Sequence, residues 1–358
     1  MGNNSSDKIK TYQEQLYIDN TVRLREIIAT LPSFSKDFFR AIEPTTSAKT
    51  RISYAYDIRV FFRFLLDNNP YYKNKAMDDF TVKDLERLES VDIEEYMEFL
   101  KVYRSDDNQM LTNGEKGLSR KMSALRSFYA YYYKRQIIEK NPTLLVDMPK
   151  LHEKAIIRLD TDEVALLLDF VENCGDQLTG QAKVYYEKTK YRDLAILTLL
   201  LGTGIRVSEC VGLDVLDVDF KNNGIKVTRK GGNEMVVYFG EEVRGAIQRY
   251  LDNTRNLMRP LPGHENALFL STQKKRMGVQ AVENMVKKYA RQVTPNKKIT
   301  PHKLRSTYGT ALYKETGDIY LVADVLGHKD VNTTKKHYAA IDENRRKQAA
   351  SAVKLRES

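Results

Sequence analysis

The chain has 358 residues, 42% of them hydrophobic, with a formal net charge of +10. That is long for one ordinary domain, apolar enough for packed cores, and basic enough to favour a polyanionic partner over an acidic or neutral one. Two cysteines, Cys174 and Cys210, exclude a disulfide framework or a cysteine-based metal site, and no apolar run is long enough to span a bilayer.

Residues 1–44 read as a polar N-terminal extension carrying one or two helices, Asn20 to Thr30 and Phe34 to Ile42. The opening MGNNSSDKIK lacks the apolar core of a signal peptide, so a cytoplasmic location without membrane contact is expected. Pro44 and Thr45-Thr46 then open a long amphipathic helix reaching about Asn68. Its Ile52, Tyr56, Val60 and Phe64 recur at helical spacing, while Lys49, Arg51 and Arg59 lie largely off that stripe. An acidic helical part follows from Thr81 to Val102, with one helix from Asp92 to Leu100. After a loop at Asn113-Gly114, a helix from Leu118 to Gln136 mixes Arg120, Lys121 and Arg126 with Phe128 and four tyrosines. Residues 45–148 therefore form a small helical domain with two basic helices. These six cations are candidate phosphate contacts, and the same pattern suits an apolar core beneath a solvated basic exterior.

A linker at 149–157, containing Pro149, leads to a second domain at 158–345 and a tail at 346–358. Residues 1–150 hold 24 Lys and Arg against 22 Asp and Glu, and residues 151–358 hold 34 against 26, so the basic excess lies in the second half. The second domain opens with a capped helix in LDTDEVALLLDFVENC. Tyr191 to Leu201 is apolar enough for a central core helix, and Gly202-Thr203-Gly204 turns the chain directly into Arg206. GIKVTRK and EMVVYFG, separated by glycines, predict a hairpin with Lys230 at its tip. Helices are expected at 241–258 and 279–292. The fold class is mainly α with a small β-sheet.

The span from Thr300 to Tyr338 concentrates the chemistry. Thr300 can cap a helix and Pro301 suits its first position. His302 and Arg305, three apart, share a face, whereas Leu304, Tyr308, Ala311 and Leu312 form an apolar stripe. A second stripe, Ile319, Val322, Ala323 and Leu326, stops at Gly327, with His328 just beyond. Asn332-Thr333-Thr334 starts a further helix leading to Tyr338.

His-x-x-Arg, then Leu-Gly-His, then a tyrosine about ten residues on, with TGIRVSE around Arg206 and VTRKGGN around Lys230, resembles the tyrosine recombinase (phage integrase) family. The similarity runs over roughly residues 45–345. The N-terminal extension and the TRKGG and TPHKLR segments look most like the single-protein Xer recombinases of Gram-positive bacteria. Two positions depart from the family pattern. Ser306 replaces the last histidine of the TPHxLRH motif, and Tyr338 comes one residue later than usual, where His337 holds the customary place. A loop at Lys329 to Asn332 is expected to absorb the extra residue.

The resemblance implies a helical core-binding domain and an α/β catalytic domain clamped around a double-stranded DNA recombination site. Four protomers would assemble on two sites and exchange strands through a 3′-phosphotyrosine link and a Holliday junction, with the C-terminal tail exchanged between protomers. Chromosome dimer resolution is the implied role, with a DNA translocase or other accessory factor as a further partner. By the same resemblance Arg206 and Arg305 hold the phosphate oxygens, Tyr338 is the nucleophile, His302 accepts its proton, Lys230 protonates the leaving 5′-hydroxyl, and His328 bonds the phosphate. These roles suit the chemistry. Guanidiniums bind oxyanions in a fork and stay charged, while a phenol and an alkoxide leaving group each need proton transfer. Glu209 could orient these groups from behind, or be an ordinary helix carboxylate. No cofactor is implied and no metal is expected, because His302, His328 and His337 lack carboxylate or cysteine partners at ligand spacing. A mobile-element integrase, a type IB topoisomerase and a catalytically silent DNA-binding regulator are the alternative readings.

Overall fold

The computed structural model describes residues 11–105, 107–152, 156–229, 232–328 and 330–331. The chain divides into two compact units, residues 1–154 and 155–358.

The first unit is helical with one short hairpin. Its opening helix, α1 (Tyr12–Ile28), starts at Thr11, whose hydroxyl accepts the Glu14 N–H while the Glu14 carboxylate accepts that of Thr11. That reciprocal cap explains why α1 begins well before the expected Asn20. Next come α2 (Ser35–Ala41) and α3 (Ala48–Asn68), the latter capped by Ser47 because Glu43–Thr45 forms a separate 3-10 turn. α4 (Val82–Arg87) and α5 (Ser90–Phe99) lead to β1 (Val102–Arg104), antiparallel to β2 (Met110–Thr112), and then to α6 (Glu115–Lys134).

The core of this unit is largely aromatic. Phe38 meets Phe128 edge-on at 5.2 Å, Phe61 meets Tyr96 at 5.0 Å, and Phe34, Phe62 and Tyr132 join the same cluster. Edge-to-face contact suits the ring quadrupoles. Buried phenols still find acceptors, as where Tyr132 donates to the Phe34 carbonyl at 2.9 Å. Leu24, Ile27, Phe38 and Phe39 belong to this core, so α1 and α2 are part of the helical unit and not an appendage to it.

The second unit begins with α7 (Thr161–Asn173), capped by the Asp160–Glu163 box, and α8 (Gly180–Thr203). Every residue of α8 from Arg192 to Leu200 is buried, as a helix enclosed on all sides requires. The polar turns from Gly180 to Lys190 are also helical, which is why α8 begins well before the expected Tyr191. α9 (Val207–Gly212) precedes a three-stranded antiparallel sheet, β3 (Val218–Asp219), β4 (Gly224–Thr228) and β5 (Glu234–Tyr238), in that order. α10 (Glu241–Tyr250), α11 (Val279–Val293), α12 (Pro301–Thr316) and α13 (Ile319–Leu326) complete it. Tyr313, Val322 and Leu326 pack α12 against α13, and Thr307 fixes α12 to the start of the unit by accepting the Leu159 N–H at 3.0 Å. The fold is mainly α with small antiparallel sheets. No helix among the described residues is long and apolar enough to cross a membrane.

Candidate active site

α8 ends at Gly204, where φ is +62° and the N–H closes the last turn on the Leu200 carbonyl at 3.1 Å. A Cβ here would lie 2.4 Å from the Tyr308 ring, so both conformation and space call for glycine. The turn delivers Arg206 to the start of α9 as its N-cap. Glu209, one turn on and buried, accepts the Arg206 N–H at 2.7 Å and its Nη1 at 2.8 Å. The carboxylate thus fixes both the backbone and the guanidinium of one residue. Cys210 beside it is wholly buried, which pushes its thiol well above the ordinary value and leaves it a core residue.

α13 closes with paired bonds around Gly327, whose φ is also +62°. The His328 N–H donates to the Ala323 carbonyl at 2.9 Å and the Gly327 N–H to that of Asp324 at 2.8 Å, the pattern of a Schellman motif. A helix end leaves further carbonyls without intrahelical partners, and here arginines take them. Arg305 Nη2 donates to Leu326 O, and its Nη1 to Gly204 O at 2.6 Å. Arg206 Nη2 reaches Gly327 O at 3.4 Å. Arg229, just after β4, donates to Val325 O at 2.8 Å. Burial lowers the Arg229 pKa and neighbouring Arg206 adds to this, while Glu209 and Asp324 oppose it.

Arg206, Glu209, Arg305 and the turn bearing His328 are therefore brought together from three separated stretches. Arg305 is buried, whereas the Arg206 side chain stays 37% exposed and open to an anion. His302 sits exposed in the first turn of α12, on the face of Arg305. Pro301 takes the first helical position as expected, but the Thr300 side chain makes no capping bond. Lys230 and Tyr338 lie outside the described residues, as does His337. Sequence reasoning missed Arg229. Its only signal was adjacency to Lys230, because its partners are some 95 residues away. Among the described residues, no group of three His, Cys, Asp or Glu side chains could hold a metal ion.

The six cations proposed in the first unit separate into two groups. Lys49 is exposed in the first turn of α3, and Arg59, half-buried, lies over the Tyr56 ring at 4.9 Å. The others are paired within the unit. Arg51 is 4% exposed and pairs with Glu43 at 2.8 Å, and Lys121 is buried with its Nζ 3.1 Å from the wholly enclosed Asp57. Arg120 also reaches Asp57 but keeps half its side chain in solvent. Arg126 donates its Nε to the Thr143 carbonyl at 3.1 Å and its Nη2 to that of Val146.

The phage integrase family profile matches residues 158–345. The tyrosine recombinase XerC of Chlorobaculum tepidum is 31% identical over 311 residues, covering 84% of this chain and 88% of the relative. The tyrosine recombinase XerS of Streptococcus thermophilus is 30% identical over 340 residues, covering 87% and 93%. In fold, the chain is similar to the XerH site-specific recombinase in a post-cleavage complex with its palindromic difH substrate (TM-score 0.62, 18% identity, covering 85% and 80%). It is also similar to a lambda integrase dimer bound to a core site (TM-score 0.58, 14% identity, covering 85% and 93%). With the profile spanning over half its length and the paired arginines held around the Leu-Gly-His turn, the chain belongs to the phage integrase family of tyrosine recombinases.

Proposed function

We propose that this chain is a site-specific recombinase that cuts and rejoins double-stranded DNA through a 3′-phosphotyrosine intermediate and a Holliday junction. One observation carries the reading: the guanidiniums of Arg206 and Arg305, distant in sequence, both reach the turn that holds His328. A phosphodiester resists attack because its transition state gathers charge on the non-bridging oxygens, and two fixed guanidiniums oppose that charge. Tyr338 Oη attacks phosphorus and its proton passes to His302. The bond to the 5′-oxygen breaks, and Lys230 donates the proton that lets this oxygen leave as a hydroxyl. Because the new phosphotyrosine ester conserves the bond that was broken, the reverse steps rejoin the strand without nucleotide hydrolysis. His328 hydrogen-bonds the phosphate, and Glu209 holds Arg206 from behind.

Residues 45–148, packed with α1 and α2 in one helical unit, serve as the core-binding domain and 158–345 as the catalytic domain, with four protomers on two sites in the cytoplasm. The biological task is chromosome dimer resolution. Comparing the DNA segment that the purified chain protects with the flanks of its own gene tests that task. Protected flanks would instead indicate an integrase of a mobile element.

The chemistry is tested on a nicked duplex built on the protected segment, where religation is prevented. Tyr338→Phe should bind normally and form no covalent adduct, whereas His337→Ala should retain adducts. One residue of shift turns a helical side chain by about 100°, so peptide mapping of the adduct to any residue but Tyr338 would overturn the nucleophile.

A further inference from the structure

We propose that Arg229 is a positioning residue that couples the hairpin turn bearing Lys230 to the helix end bearing His328, an inference that rests on the recombinase reading. The observation is a division of carbonyls. The Schellman bonds use those of Ala323 and Asp324, Arg305 takes Leu326, Arg206 takes Gly327, and Val325 falls to Arg229. Arg229 Nη1 also reaches Asp324 O at 3.4 Å, so its planar fork spans adjacent carbonyls of the last turn. A lysine ammonium, a single point of charge, would not reproduce that two-pronged hold.

The backbone of the same residue closes the turn between β4 and β5. Its N–H donates to the Asn233 carbonyl at 2.8 Å, and its own carbonyl accepts the Gly232 N–H at 3.0 Å. Main chain and side chain of Arg229 therefore bind two different elements, and Lys230 is its immediate neighbour in sequence. On the helix side, the carbonyls it holds belong to the turn whose hydrogen bonds fix the His328 backbone.

Gly327 supports the same conclusion independently. A Cβ built there would lie 1.6 Å from Arg229 Nη1 and 2.2 Å from its Cζ, so the guanidinium rests directly on the glycine. The Leu-Gly-His glycine thus serves this close approach as well as the left-handed turn. Among the described residues, Arg229 Nε is buried and has no hydrogen-bond partner. The group is committed to the helix end at some cost in desolvation.

The test uses the full chain on the nicked duplex described above, with an ordinary phosphate or a 5′-bridging phosphorothiolate whose leaving group needs no proton. Arg229→Ala and Arg229→Lys should bind the duplex as wild type does. Both should form adducts on ordinary DNA about tenfold more slowly or worse, as misplaced catalytic groups do, and recover most of that loss on the phosphorothiolate. Gly327→Ala, which displaces the guanidinium and also strains the left-handed turn, should lose at least as much on ordinary DNA. A wild-type rate for Arg229→Ala overturns the proposal. So does equal loss on both substrates, which marks a residue of the fold alone, and so does weakened binding, which marks a DNA contact. A wild-type chain that forms no adduct sinks the recombinase reading and this inference together, and is recognised because no mutation is needed to see it.

Discussion

Glu209 shows how a single carboxylate sets the site. It is 7% exposed, and both its bonds go to Arg206, one to the backbone N–H and one to the guanidinium. Replacing it with glutamine keeps the shape but turns an amide NH2 toward one of these donors. Leaving a buried donor unpaired should cost about 1–3 kcal/mol of stability, measured by urea unfolding. Covalent adduct formation should fall further than DNA binding, and a Glu209→Gln chain with unchanged adduct rate would show that Arg206 needs no such support. Arg206 and Arg305, which folding brings to the turn bearing His328, each sit in a short run whose residue types and helix signals state its setting. The burial of Glu209 was not legible, since an i to i+3 carboxylate reads the same whether solvent or protein covers it. Arg229 was invisible for another reason: its partners at Asp324 and Val325 are close only after folding.

Between α3 and α6 the limit of pattern reading is different. Aromatic and basic residues alternate along both helices, and the stripe alone cannot say which cations face outward. Asp57, 2% exposed, decides it by drawing Lys121 inward and holding Arg120 at the rim. The β1–β2 hairpin was equally unreadable, because its strands are three residues long and mostly exposed. α1 buries only Leu24 and Ile27, too sparse a stripe to mark it as part of the core. The two kinds of cation should separate experimentally. Lys49→Ala should reduce the salt dependence of DNA binding by about one unit of log–log slope without moving the unfolding midpoint. Asp57→Asn, which strands the buried Lys121 charge, should lower stability by about 3–5 kcal/mol. If Lys49→Ala leaves the slope unchanged, α3 does not touch phosphate there. If Asp57→Asn unfolds like wild type, the ion cluster is dispensable.

At the scale of the whole molecule, length and composition suggest two units with the basic excess in the second half, and the chain divides into residues 1–154 and 155–358. What composition cannot express is assembly, since a contact between copies has no period within one chain. The tail offers a single clue. In DENRRKQAASAVKLRES, which lies outside the described residues, Ala349, Ala352 and Val353 recur at helical spacing as a narrow apolar stripe. A lone solvated helix gains nothing from such a stripe, whereas one seated on a second copy buries it. Tail exchange between protomers would then link assembly to catalysis, and its loss should divide the two activities of the chain. A chain ending at Arg346 should bind a single site with unchanged affinity in a gel-shift titration. On a plasmid carrying two sites its recombination should fall at least about tenfold, the loss expected when an intermolecular contact worth ~1.4 kcal/mol or more is removed. Recombination at the full rate by the shortened chain would mean that the stripe packs elsewhere and that the protomers meet through other surfaces.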